Sequence, residues 1–216
     1  MELEVIQVSQ TSCGHHYTFS ASFSEGIHLL SGSDTGIKTQ FLKILTGTKK
    51  PECGNIYFLG YDIFTLGRAY QNHLAYFSRF PLFPGSFSLS HYLIYTGLLQ
   101  RLEPDQARGK ASVLLQTFEL SSYADKTLDK LSESVRKRVL LINTLHSEAP
   151  ILLLDQLFCY MDDSDLPWVL PHLVSLQKKK IILISVEDTQ IFDGISHQTY
   201  LFENGSVKTL HSPLSP

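Results

Sequence analysis

The chain has 216 residues, enough for one large domain or a domain with a subdomain, and it is 43% hydrophobic and 18% charged, which excludes a disordered chain. A formal net charge of −3 gives no electrostatic case for binding nucleic acid. Cys13, Cys53 and Cys159 lie too far apart for metal-ligand spacing and suit a reducing compartment, no run of about 18 apolar residues is present to span a membrane, and "MELEVIQVSQ" lacks the pattern of a signal peptide.

In chain order, "LEVIQV" and "YTFSASF" read as strands, with β-branched and aromatic residues in partial alternation. "GIHLLSG" is a short apolar strand ending at Gly32, and "KTQFLKILTG" follows with Phe41, Leu42 and Leu45 at helical spacing and Gly47 as the stop. "GNIYFLG" is a strand between glycines. From about 85 to 148 the chain is predicted helical, in "SLSHYLIYTGLLQRL", "DQARGKASVLLQTFEL" and "SESVRKRVLLINTLHS", the last N-capped by Ser132. "PILLLD" and "KIILIS" are continuous apolar runs that suit a parallel sheet covered on both faces. Between them "DSDLPWVLPHLVSLQKK" is predicted helical, with Lys178 to Lys180 as a solvated helix end. "HQTYLFENGSVKTL" is predicted to form a hairpin turning at Asn204-Gly205.

Residues 31 to 40, "SGSDTGIKTQ", have the outline of a phosphate-binding loop placed between a strand and a helix. Gly32, Lys38 and Thr39 keep the spacing, but Ile37 stands where a glycine belongs and Gly36 comes one position early. In such a site the lysine neutralises β/γ-phosphates, the threonine hydroxyl holds Mg²⁺ and an aspartate at a strand end, here Asp155, supports the metal. Taken singly, each segment has an ordinary alternative: a glycine-containing turn before a helix, and a core strand ending in a capping aspartate.

Three further landmarks follow in order: "YFSRFPLFPGSFSLSHYL" after the loop, "LSESV" (131 to 135) opening a helix before Asp155, and Asp162 after it. Together these segments resemble the ATP-binding subunits of ABC transporters over essentially the whole chain. The resemblance implies an α/β P-loop NTPase of ABC ATPase type, with a mainly parallel core sheet, an antiparallel β region and a helical subdomain at about 85–148 of a single domain spanning 1–216. It implies ATP and Mg as cofactors, a membrane permease as partner, a homodimer or heterodimer of ATP-binding subunits, and a cytoplasmic, peripheral location on the inner face of the membrane. Lys38, Thr39 and Asp155 match the Walker motifs, Asp162 the D-loop and Ser132 the signature serine.

The departures from the family pattern are specific. The usual inner glycine of the loop is Thr35, the Q-loop glutamine falls at Arg79, and the signature glycines and glutamine fall at Glu133, Ser134 and Val135. The catalytic glutamate falls at Gln156 and the switch histidine at Val186, and no aromatic residue falls where the adenine-stacking one belongs, Tyr17 and nearby histidines being only neighbours. A neutral amide cannot take a proton from water as a carboxylate does. Val186 removes a polar contact to the γ-phosphate; as a residue at a strand end it also fits a core. Arg79 either pairs with phosphate or lies on the surface. A β-branched Ile37 resists positive φ and close approach, with an expected strain of roughly 1–3 kcal/mol if the usual loop backbone is kept. Glu133 would place a carboxylate against a partner subunit's phosphate.

The leading expectation is a degenerate ABC ATP-binding subunit with weak nucleotide binding and little or no hydrolysis, supporting a permease that would dock near Phe80, Phe83 and Phe87, residues that core packing equally explains. One alternative is an active, divergent ABC ATPase in which Glu187 or Asp188 takes over the base role. Another is a soluble scaffolding or regulatory pseudo-ATPase. A P-loop kinase leaves "LSESV" before "ILLLD" unexplained.

Overall fold

The computed structural model describes residues 1–12, 14–78, 84–160 and 165–211. These fall into two compact units, Met1–Arg79 with Ala149–Pro216, and Phe80–Glu148.

The first unit holds two sheets. The antiparallel one contains β1 (Leu3–Ser12), β2 (His15–Phe23), β4 (Cys53–Phe58) and the two-residue β5 (Tyr61–Asp62), in the order β2-β1-β4-β5. A bulge between Val5 and Val8 puts Gln7 at a φ of 48°. Gly54 faces it: a Cβ there would lie 2.3 Å from the Gln7 carbonyl oxygen, so only glycine allows the approach.

The second sheet contains β3 (Gly26–Ser31), β6 (Leu74–Phe77), β7 (Ile151–Leu154), β8 (Ile181–Ser185), β9 (Gln198–Glu203) and β10 (Ser206–His211), in the order β10-β9-β3-β8-β7-β6. All its pairings are parallel except β9 with β10. Ile151 to Leu154 and Ile181 to Ile184 are wholly buried, as their unbroken apolar runs require, each side chain contributing about 1.5–3 kcal/mol by leaving water. Asn204 and Gly205, at φ 48° and 76°, turn the β9–β10 hairpin.

Helix α1 (Thr35–Leu45) follows β3 and buries Ile37, Phe41, Leu42, Ile44 and Leu45 in the core that lies between the sheets. Two single-turn helices, α2 (Ile63–Leu66) and α3 (Arg68–Gln71), lead to β6; neither they nor β6 stands out in the sequence, being only four residues each. Helix α7 (Leu166–Leu176) precedes β8, with the Trp168 indole donating to the Asp165 carboxylate at 3.1 Å. The lysine run after it is not wholly solvated: Lys180 is buried and donates to the Ala149 carbonyl at 2.6 Å.

The second unit is built on α4 (Leu89–Leu99), α5 (Pro104–Thr117) and α6 (Glu133–Leu145). A Cβ at Gly97 of α4 would lie 3.1 Å from that of Ala107 on α5, so the two helices approach closely through small residues. Thr96 donates to the Asn143 side chain at 3.0 Å, joining α4 to α6. Between α5 and α6 the chain is irregular rather than helical, with single 3₁₀ turns at Ser121–Tyr123 and Leu128–Lys130.

Candidate functional site

The segment from β3 to α1 sets the geometry. Gly32, at φ 114°, ends β3 where a Cβ would collide with the Phe202 carbonyl oxygen at 2.1 Å. Asp34 then caps α1, its Oδ1 accepting from the Ile37 amide at 3.0 Å. The helix therefore starts at Thr35, and Lys38 and Thr39 lie on its first turns.

The Lys38 ammonium is fully buried and donates to the carbonyls of Gly32 and Val186, each at 2.6 Å. Burial lowers its pKa below the ordinary lysine value; the carboxylates of Glu187, Asp155 and Asp34 act in the opposite sense. Thr39 Oγ1 donates to Asp155, lying 2.9 Å from both carboxylate oxygens. Ser185 at the end of β8 donates to Asp155 Oδ1 at 2.9 Å, and Tyr76 on β6 to Oδ2 at 3.3 Å. Burial and the adjacent carboxylate push the Tyr76 hydroxyl's pKa well up. Three elements thus converge on one buried aspartate at the end of β7.

Gln156 follows Asp155 in a left-handed conformation, φ 51°, with its amide N–H donating to Ser185 Oγ at 2.7 Å. Its side chain is buried, and among the described residues its Nε2 has no hydrogen-bond partner. It lines a cleft of about 210 Å³ with Phe158, Cys159, Val186, Glu187 and Ile191. Val186 faces the site through its main chain, since its carbonyl holds Lys38.

Gly32, Gly36, Lys38, Thr39, Asp155, Gln156 and Val186 all belong to the first unit. Ser132 and Glu133 belong to the second. Ser132 caps α6 by accepting from the Val135 amide at 3.4 Å. Glu133 is exposed and pairs with Lys137 at 2.5 Å, a contact that lowers its pKa. The carboxylate expected to repel an anion already carries a counter-charge. Arg79, Asp162, Phe80 and Phe83 lie outside the described residues; Phe87 packs edge-on against Tyr95.

The strain expected at Ile37 does not arise. Capping by Asp34 starts the helix early, so neither Ile37 nor Gly36 takes a positive φ, and the Ile37 side chain is buried in the core. Tyr17 is no adenine platform: its ring is buried 6.3 Å from that of Phe202, and its hydroxyl donates to Asp34 Oδ2 at 3.3 Å. Asp34, Tyr76 and Ser185 complete the site without being defining residues of any of its sequence motifs. An aspartate just before a helical period is a recognisable cap, and that signal points to Asp34. Tyr76 lies on a strand too short to read.

A family model described as "ABC transporter" matches residues 17–158, well over half of the chain, and the chain belongs to this family as an ATP-binding domain. The sulfate/thiosulfate import ATP-binding protein CysA of Nephroselmis olivacea is 24% identical over 92% of this chain and 58% of its own length. The lipoprotein-releasing system ATP-binding protein LolD of Coxiella burnetii is 27% identical over 90% of this chain and 86% of its own. The chain spans only 57%, 58% and 54% of the length of three such relatives. A solved ATP-binding subunit of an ABC transporter superposes with a TM-score of 0.81 at 20% identity, over 98% of this chain and 90% of that one. The dimeric post-hydrolysis state of the ATP-binding cassette MJ0796, bound to ADP and Pi, gives 0.79 at 17% identity over 97% and 98%. These two likenesses concern the fold.

The family's cofactor would meet the site differently at its metal and its phosphate ends. A divalent cation suits the Thr39 hydroxyl and the Asp155 carboxylate, which are hard oxygen donors already in contact. A phosphate would compete with groups of the chain itself: the Asp34 carboxylate already accepts from the Ile37 amide of α1, and two carbonyls hold the Lys38 ammonium.

Proposed function

We propose that the chain is a degenerate ATP-binding subunit of an ABC transporter. It binds Mg-nucleotide weakly, hydrolyses it little or not at all, and supports a membrane permease from the cytoplasmic face. The observation that carries this reading is Gln156. The residue after the metal-supporting aspartate is a buried amide, which holds no proton-accepting carboxylate where the attacking water would be activated.

In this reading Lys38 and Thr39 meet phosphate and metal, Asp155 supports the metal, and Gln156 and Val186 are the positions where base and switch have been lost. Ser132 and Glu133 face a partner ATP-binding subunit, a second copy or a different one. Residues 1–216 form one ABC-type domain whose helical subdomain is about 85–148. The relatives' names differ in cargo, from sulfate to lipoprotein, so only their shared part, an ATP-binding component of a transport system, is taken over.

A second reading, a divergent but active ATPase, draws on Glu187. It is the largest charged influence on Lys38 and lines the same cleft as Gln156. Phosphate release by the purified protein separates the two. Turnover near one per second, abolished by Lys38→Ala and by Glu187→Gln, supports the active enzyme; release at the background level supports the degenerate subunit.

A further inference from the structure

Asp34 stands in the mouth of the phosphate-binding loop. Its Oδ1 accepts from the Ile37 amide at 3.0 Å and from the Ser12 hydroxyl at 3.4 Å, and its Oδ2 accepts from the Tyr17 hydroxyl at 3.3 Å. These three donors come from α1, β1 and β2, so the carboxylate is held in a cradle built by the fold rather than by one local turn. Gly36 fits the same cradle. A Cβ there would lie 3.2 Å from both Asp34 Oδ1 and Ser12 Oγ, so the glycine leaves room for the carboxylate.

A helix N-terminus attracts an anion because its first amides are unpaired and its dipole is positive there. At α1 the Ile37 amide already has an anionic acceptor from within the chain. The surrounding charge points the same way: Lys38 is the cation, and Asp34, Asp155 and Glu187 all act on it. A polyphosphate entering the loop therefore meets an Ile37 amide that is already bonded, a lysine turned onto two carbonyls and three carboxylates.

We propose that Asp34 is an internal substitute for phosphate, an acidic plug that sets the loop's low affinity for polyphosphate. The proposal rests on the reading of the chain as a weak nucleotide binder. It relocates the cause of the weakness from Ile37, whose backbone is unstrained, to the carboxylate three residues earlier. Displacing the plug costs three hydrogen bonds and leaves a carboxylate beside the incoming anion. Removing its charge lifts the second of these costs while keeping a helix cap.

The test uses inorganic tripolyphosphate with Mg²⁺, a probe without base or ribose, titrated calorimetrically into wild type, Asp34→Asn and Asp34→Ser. Both replacements are good N-caps, and thermal unfolding of each variant checks the fold. The expected result is at least tenfold tighter binding in either folded variant, with the gain abolished by adding Lys38→Ala. Equal binding in wild type and variants, or no binding in any of them, would overturn the proposal. The weak-binding reading is judged separately, by Mg-ATP titration of wild type alone. An unchanged variant with weakly binding wild type sinks the plug and spares that reading. A gain in the variant with an inert wild type does the reverse.

Discussion

Thr39 donates its hydroxyl to Asp155, with Oγ1 2.9 Å from both carboxylate oxygens. The contact joins the first turns of α1 to the end of β7, and it brings together the two oxygen donors that the proposed function assigns to Mg²⁺. Mg²⁺ should therefore strengthen nucleotide binding in the wild-type protein. Asp155→Asn should weaken the metal's contribution about 10-fold or more. Titration of ADP with and without Mg²⁺ into both proteins measures this. Equal Mg dependence in the variant would place the metal elsewhere.

Asp155 is also a structural hub. Truncation to alanine leaves the hydroxyls of Thr39, Ser185 and Tyr76 without their acceptor, Ser185 in a buried setting and the other two in partly buried ones. The expected destabilisation is about 3 kcal/mol, measurable by urea unfolding. A loss within experimental scatter would mean that these hydroxyls find other partners at no cost.

Ile37 tests the reinterpretation of the loop. Its side chain is buried among core residues, so Ile37→Ala should cost about 2–4 kcal/mol of stability. The single change Ile37→Gly, which leaves Gly36 and the Asp34 cradle untouched, should destabilise the protein without tightening nucleotide binding. Tighter binding by this variant would restore backbone strain at Ile37 as the defect.

Much of the fold was legible because its signals are local. The apolar runs around Leu153 and Leu183, the Asn204-Gly205 turn and the Ser132 cap each declare an element by themselves. The order of the loop lysine and the strand-end aspartate was enough to anticipate that Thr39 and Asp155 meet. The state of the loop was not legible. Whether Ile37 is strained depends on where α1 starts, and that start is fixed by Ser12 and Tyr17 holding Asp34 from distant strands. The short β6, with Tyr76, left no periodic trace. The Glu133–Lys137 pair, one helical turn apart, was readable from spacing, yet the sequence reading weighed Glu133 alone.

His28 gives the protein a pH dependence unrelated to the site. It is buried against Phe23 and Tyr200, with Nε2 2.8 Å from the Ser24 carbonyl, and burial lowers its pKa below 6.5 despite opposing hydrogen bonds to Ser24 and Gln198. The unfolded chain then binds the extra proton more readily than the folded one. The stabilisation is complete above about pH 6.5 and is lost as pH falls toward the lowered folded value. Urea midpoints between pH 7.5 and about 5 should fall in the wild type and fall less in His28→Gln. Parallel profiles would remove His28 from the account.

Restoring a single carboxylate should not restore turnover. Gln156→Glu supplies a proton acceptor, but Val186 still offers only its carbonyl to the site and Asp34 still accepts from the Ile37 amide. Phosphate release by the variant is expected to stay at background. Release near one per second would show that the base alone had been missing.

The most direct test of the central claim is calorimetric titration of Mg-ATP into the wild-type protein. The assembled Lys38, Thr39 and Asp155 predict binding, and the Asp34 carboxylate on the Ile37 amide predicts that it is weak, in the high micromolar to millimolar range. Submicromolar binding would contradict the account and mark a nucleotide-held subunit. No binding at several millimolar by folded protein would contradict it from the other side and leave a purely structural one.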